Sequence, residues 1–123
     1  MSFDEYGAVV WLQKSKTVRR KLRVVYSARY LSEWLSDHPL KDETEAPLWI
    51  KLTGRNAMKA MAYDDIRMQI KKIAKRAGIK KRVHLHLFRH TRATRLLAKV
   101  SESIGARYMG WVSGSDMVRV YVH

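Results

Sequence analysis

No cysteine occurs in the 123 residues. That excludes a disulfide framework and thiolate zinc sites, and it is neutral about compartment. No apolar run approaches the ~20 residues of a membrane span, so none is expected. The start, Met1-Ser2-Phe3-Asp4-Glu5, lacks the basic and apolar regions of a signal peptide. A cytoplasmic location is the default expectation. There is no glycine-rich phosphate loop and no Gly-x-Ser-x-Gly elbow. Acidic residues are scarce in the second half: beyond Asp65 only Glu102 and Asp116 remain, so paired catalytic carboxylates are not expected there. What is present is positive charge. Lys and Arg number 25 against 11 Asp and Glu, a net +14. An excess of this size in one small domain favours a polyanionic partner. Hydrophobic residues make up 46%, enough for one core.

Local patterns predict an α+β fold, mostly helical, with a small antiparallel hairpin or sheet at one edge. Tyr6 to Leu12 and Leu22 to Tyr26 read as strands joined by a polar connection. The hairpin carries Lys14, Lys16, Arg19, Arg20, Lys21 and Arg23, six cations in ten residues that would repel unless they meet an anion. Leu31, Trp34 and Leu35 recur at helical spacing behind Ser27, and His38-Pro39 ends that helix. Leu48 to Leu52 is a short strand candidate. Asp64 to Ala77 is the clearest helix: Ile66, Ile70, Ile73, Ala74 and Ala77 form one stripe, acids begin it, Lys75 and Arg76 end it, and Gly78 follows. Leu87 to Val100 reads as a further helix with Arg92, Arg95 and Lys99 on one face. A short helix after Ser101 would turn Ile104, Tyr108 and Met109 inward. Gly110-Trp111 is a turn, and Asp116 to Tyr121 a final helical turn packing Met117, Val118 and Val120.

The densest chemistry lies between Val83 and Arg95, where three histidines and three arginines stand beside Leu87 and Phe88. Leu87 and Phe88 look made for burial, anchoring the start of the helix. A metal site is disfavoured. His86 and His90 have the spacing of helical ligands, but no Glu follows His86 and Arg89 lies between the pair. Neither a metal nor a cofactor is expected. A metal-free phosphate chemistry fits better. It needs cations on the non-bridging oxygens, a proton donor for the leaving alkoxide and a nucleophile. Arginine suits the first role through its planar fork, lysine or histidine the second, and tyrosine the third. Each residue also has a plainer explanation. Tyr121 could be a half-buried terminal aromatic, Trp111 simply core, and Lys16 only a backbone contact.

His86-Leu87-Phe88-Arg89-His90-Thr91, then Met109-Gly110-Trp111, then Val120-Tyr121-Val122-His123 resemble the C-terminal signature of the tyrosine recombinases, also called phage integrases. Twenty-two residues separate Arg89 from Trp111, and ten separate Trp111 from Tyr121. The stretch Leu12-Gln13-Lys14-Ser15-Lys16-Thr17 with Arg19 is similar to the family's lysine-bearing hairpin. The Gly-Trp pair with its Gly-Ser connector looks most like archaeal members. The resemblance implies that Tyr121 attacks a DNA phosphate to form a 3′-phosphotyrosyl link and that Arg89 binds the non-bridging oxygens. Lys16, or Lys14 one register away, would protonate the leaving 5′ oxygen. His86 would assist proton transfer or hold the phosphate, and Trp111 would donate its indole N–H. His90 would pack and orient. Lys14, Arg19, Arg20, Arg92, Arg95 and Lys99 would contact the backbone of double-stranded DNA, which positions rather than specifies. The full-length enzyme is implied to act as a tetramer on two duplexes, with no membrane involved.

Two departures qualify this expectation. The family's first catalytic arginine lies on a helix before the hairpin, and no Arg precedes Lys16 here. Its loss would lower the rate on the order of 10²-fold. The family's N-terminal core-binding domain is not recognisable either, and the sequence stops two residues after Tyr121. Residues 1–123 are therefore expected to be a single partial catalytic domain. The alternatives are a catalytically inactive DNA-binding remnant or the C-terminal part of a split integrase. An RNA-binding module is less favoured, because no strand carries a platform of stacking aromatics.

Overall fold

A computed structural model of the chain describes residues 1–12, 19–112 and 116–121. Among these, three strands and four helices run in the order β1 Ser2–Asp4, β2 Gly7–Leu12, β3 Arg20–Val24, α1 Ala28–Asp37, α2 Tyr63–Arg76, α3 Leu85–Leu97 and α4 Glu102–Met109. The fold is α+β, with one three-stranded antiparallel sheet in the order β1-β2-β3. No helix among the described residues is long and apolar enough to cross a membrane. The described chain falls into two compact units, residues 1–31 with 88–123, and residues 32–87.

In the first unit the β2–β3 register pairs Ala8 with Val24, Val10 with Leu22 and Leu12 with Arg20. These residues share one face, because side chains alternate along a strand. Ala8 is buried and the other five half-buried. The opposite face carries the charge. Lys21 Nζ sits 4.2 Å from the Trp11 ring centroid. Arg23 bonds both carboxylate oxygens of Asp4, at 2.6 and 2.9 Å. The Arg23 guanidinium, with help from the Tyr6 N–H, holds the Asp4 carboxyl below the usual carboxylate range. Of the hairpin cations, Arg23 thus meets an acid within the sheet and Lys21 an aromatic ring. Gly7, at φ +122°, begins β2, and a Cβ there would run into the Val24 carbonyl oxygen.

The core of this unit is Ala93, Met109 and Tyr121, with Leu97, Tyr108 and Trp111 packed against them. α3 and α4 approach closely at Gly105, where a Cβ would overlap the Leu97 side chain. Several apolar residues expected inside lie outside: Ile104, Met117 and Val120 are all exposed. Residues 116–121 form successive turns rather than a helical turn. Phe88, expected to anchor α3, is 56% exposed, and Leu87, at the end of the second unit, is exposed too. Within its unit, α3 is instead anchored by Ala93 and Leu97, which lie one turn apart.

The second unit is built on α2. Ile66, Ile70 and Ala74, four residues apart, are its half-buried stripe, while Ile73 is exposed, so the buried face is narrower than the sequence pattern. The Asp65 carboxylate accepts the Ala62 N–H at 2.8 Å and pairs with Lys51 at 3.0 Å. Those two contacts, the backbone one first, hold its carboxyl below the usual range. At the other end the Gly78 N–H reaches the Lys75 carbonyl and the Ile79 N–H the Ala74 carbonyl, a Schellman closure around Gly78 at φ +69°. Leu48 to Leu52 makes no full strand. It contributes one bridge, Ile50 with Ala60. Buried His38 accepts the Leu40 N–H at Nδ1 and donates from Nε2 to the Pro47 carbonyl. Trp34 donates to the Leu48 carbonyl and stacks on Trp49.

Candidate functional site

The C-terminal end of α4 is where the chemistry gathers. Gly110 follows the helix in the left-handed conformation, φ +71°. This closes the helix through the Gly110 and Trp111 N–H groups, which reach the Arg107 and Ala106 carbonyls. The turn leaves the Met109 carbonyl without a helical partner. Two arginines take it. Arg89 Nη2 on α3 donates at 2.9 Å and Arg20 Nη2 on β3 at 3.3 Å. Cations at a helix C-terminus are favoured by its dipole. The cost is that two guanidinium groups share one neutral oxygen. Their bonded nitrogens lie at most about 6 Å apart, where like charges repel by about 1–3 kcal/mol between the dielectric of water and that of a protein surface.

Gly110 also makes room. A Cβ on it would collide with the Arg20 guanidinium, so that group lies directly against the Gly110 backbone. The next residue, Trp111, is half-buried, and its indole nitrogen is fully buried with no hydrogen-bond partner among the described residues. A buried donor left unpaired costs roughly 1–3 kcal/mol. An acceptor oxygen delivered from outside would remove that penalty. Trp111 stacks on Tyr121, with centroids 5.2 Å apart and planes 17° apart. Tyr121 is 8% exposed, and the His90 ring lies 5.1 Å away. The structure therefore brings together Arg89, Trp111, Tyr121 and His90 within one unit, and adds Arg20.

Other residues singled out from the sequence fall elsewhere. Lys14 and Lys16 lie outside the described residues. His86 is exposed in the first turn of α3. His84 is half-buried, and its carbonyl accepts the Leu87 N–H. Arg92, Arg95 and Lys99 are exposed on or just beyond α3, and the Arg92 guanidinium lies 5.2 Å from the Tyr108 ring centroid. Arg19 is exposed just before β3. Arg20, expected with these cations at the DNA backbone, is half-buried and donates to the Met109 carbonyl. The alternation of β3 carried the signal, since Arg20 is in phase with Leu22 and Val24 rather than with Lys21 and Arg23. Among the described residues no group of three or more His, Asp or Glu could hold a metal ion.

Such a cluster can bind an oxyanion with cations and one neutral donor, beside a phenol. The model of the phage integrase family matches residues 3–123. Comparison with curated proteins and with solved structures gave no match. The family match spans nearly the whole chain: this protein belongs to the phage integrase family, the tyrosine recombinases, whose members act on DNA in site-specific recombination.

Proposed function

We propose that the chain cleaves and rejoins DNA strands through a covalent link to Tyr121. The Tyr121 oxygen attacks the scissile phosphorus as the bond to the 5′ oxygen breaks, leaving a 3′-phosphotyrosyl link. The phenol gives up its proton to water, and the departing 5′ oxygen receives one from Lys16, or from Lys14 if the hairpin register shifts. Attack of a 5′ hydroxyl on the link reverses the step and rejoins a strand. Arg89 holds the non-bridging oxygens, where charge builds in the transition state. His86 assists proton transfer or holds the phosphate. Arg19, Arg92, Arg95 and Lys99 hold the DNA backbone, and in the full-length enzyme four protomers work on two duplexes.

The observation that carries this reading is the unpartnered Trp111 indole N–H. It is stacked against the proposed nucleophile and lies two residues beyond the carbonyl that Arg89 grips. A nicked suicide duplex, from which the cleaved strand diffuses away, tests it. The expected result is a protein–DNA band that resists denaturant and disappears in Tyr121→Phe. A band that survives Tyr121→Phe contradicts the assignment of the nucleophile. The burial of Tyr121 in the core favours a second reading, DNA binding without cleavage. That reading predicts salt-sensitive binding and no covalent band.

A further inference from the structure

Arg20 is the cation that the proposed mechanism leaves unused, and its position is unlike that of the other hairpin arginines. Strand alternation turns it to the half-buried face of β3, opposite Leu12. Its Nη2 shares the Met109 carbonyl with Arg89 Nη2. Its guanidinium occupies the space that the missing Gly110 Cβ leaves. A carbonyl oxygen has two lone pairs, so two donors saturate it. The bond to Met109 engages one of the five Arg89 N–H donors, and among the described residues no carboxylate pairs with Arg89. Capping α4 alone would need a single cation. Arg89 therefore keeps donors in reserve, the Trp111 indole N–H is buried without a partner among the described residues, and the Arg20 guanidinium converges on the same carbonyl.

We infer that Arg20 is a phosphate-binding residue of the site, contacting the same phosphate oxygens as Arg89 and the Trp111 indole. The inference rests on the proposed function, in which Arg89 holds the phosphate oxygens beside the unpartnered Trp111 indole. A phosphate seated there supplies acceptors for the Trp111 indole and the remaining Arg89 donors, and its charge offsets the repulsion between the two arginines. The planar fork of Arg20 engages two acceptors at once, one on the phosphate and one on Met109. Lysine, with a point charge, does this less well.

The test uses inorganic phosphate as the probe and the Trp111 indole N–H resonance as the readout, on the full chain. Trp111→Phe identifies the resonance. In the unsubstituted protein the resonance shifts saturably as phosphate is added. In Arg20→Gln the apparent Kd rises by about 10-fold or more, the scale of one lost charge-assisted hydrogen bond. In Arg20→Lys it rises less, and circular dichroism of both variants matches the parent. If Arg20→Gln does not fold, Arg20→Lys carries the test alone, with an expected rise of a few fold. A Trp111 resonance indifferent to phosphate in the parent protein overturns the inference. So does an unchanged Kd in the folded Arg20 variants, which leaves Arg20 only a helix cap. Because the probe is free phosphate, the result is independent of cleavage. Phosphate binding that depends on Arg20, with no Tyr121 adduct, would sink the proposed cleavage reaction and leave this site standing.

Discussion

Replacing Gly110 with alanine perturbs the point where fold and site meet. Two effects add. A Cβ at φ +71° costs about 1 kcal/mol in the left-handed region. The methyl also overlaps the Arg20 guanidinium, which is the end of a flexible side chain and will move aside. Moving forfeits its bond to the Met109 carbonyl. A bond to a charged group is worth about 1.5–3 kcal/mol, and a 3.3 Å, half-buried example belongs at the low end. The total is about 2.5 kcal/mol, a large share of the stability of a small domain. Gly78→Ala is the internal control. Gly78 sits at a similar φ, +69°, with nothing within 4 Å of its Cβ position, so only about 1 kcal/mol is expected. Urea denaturation measures both. The cycle with Arg20→Ala isolates the collision. Arg20→Ala alone should cost about 1.5 kcal/mol, and the double variant about 2.5 rather than 4, because the bond is lost only once. If Gly110→Ala costs no more than Gly78→Ala, or the two substitutions at Gly110 and Arg20 are additive, the close packing of Arg20 on Gly110 is wrong.

Other expectations follow from the same contacts. Gly7→Ala should be more damaging than Gly110→Ala, by more than about 3 kcal/mol in the same urea titration, because its Cβ meets the Val24 backbone, which cannot swing away. The Asp4–Arg23 pair should stabilise the sheet above the ordinary carboxyl value of 3.8 and lose that contribution as pH falls through the lowered value of folded Asp4. A carboxyl NMR titration should show the Asp4 midpoint rising toward 3.8 in Arg23→Gln, and an unmoved midpoint would refute the pairing. Trp111→Phe keeps an aromatic ring against Tyr121 and removes the orphaned donor. Denaturation should show a loss of no more than about 1.5 kcal/mol, while adduct formation on DNA slows by about 10²-fold.

Much of the fold is legible in the sequence, and the exceptions have physical causes. Both long strands, all four helices, and the ends of α1 and α2 follow from strand composition, helical spacing, His38-Pro39 and Gly78. The strand β1 has no such signature. Ser2–Asp4 is three exposed residues held by hairpin pairing with Gly7, Ala8 and Val9 and by the longer-range Arg23–Asp4 contact. Leu48 to Leu52 has strand composition but only one bridge, because its partner segment turns at Met58, a non-glycine at φ 65°. Residues 116–121 have helical apolar spacing, yet only Tyr121 becomes buried there, so nothing rewards a helix. At the candidate site, motif spacing singled out Arg89, Trp111 and Tyr121, and the fold places them beside one core. It could not reveal that two arginines share the Met109 carbonyl, since that oxygen is freed only when Gly110 ends α4. Arg20 was hidden by its neighbours: six cations in ten residues obscured that alternation turns it inward.

Tyr121 is proposed to become covalently bound to DNA. Peptide mass mapping of the adduct trapped on a nicked suicide duplex tests it most directly. A nucleotide mass attached to the peptide containing Tyr121, and absent from Tyr121→Phe, is the predicted result. A trapped adduct mapping to any other residue, or no adduct on DNA that the protein demonstrably binds, would contradict it.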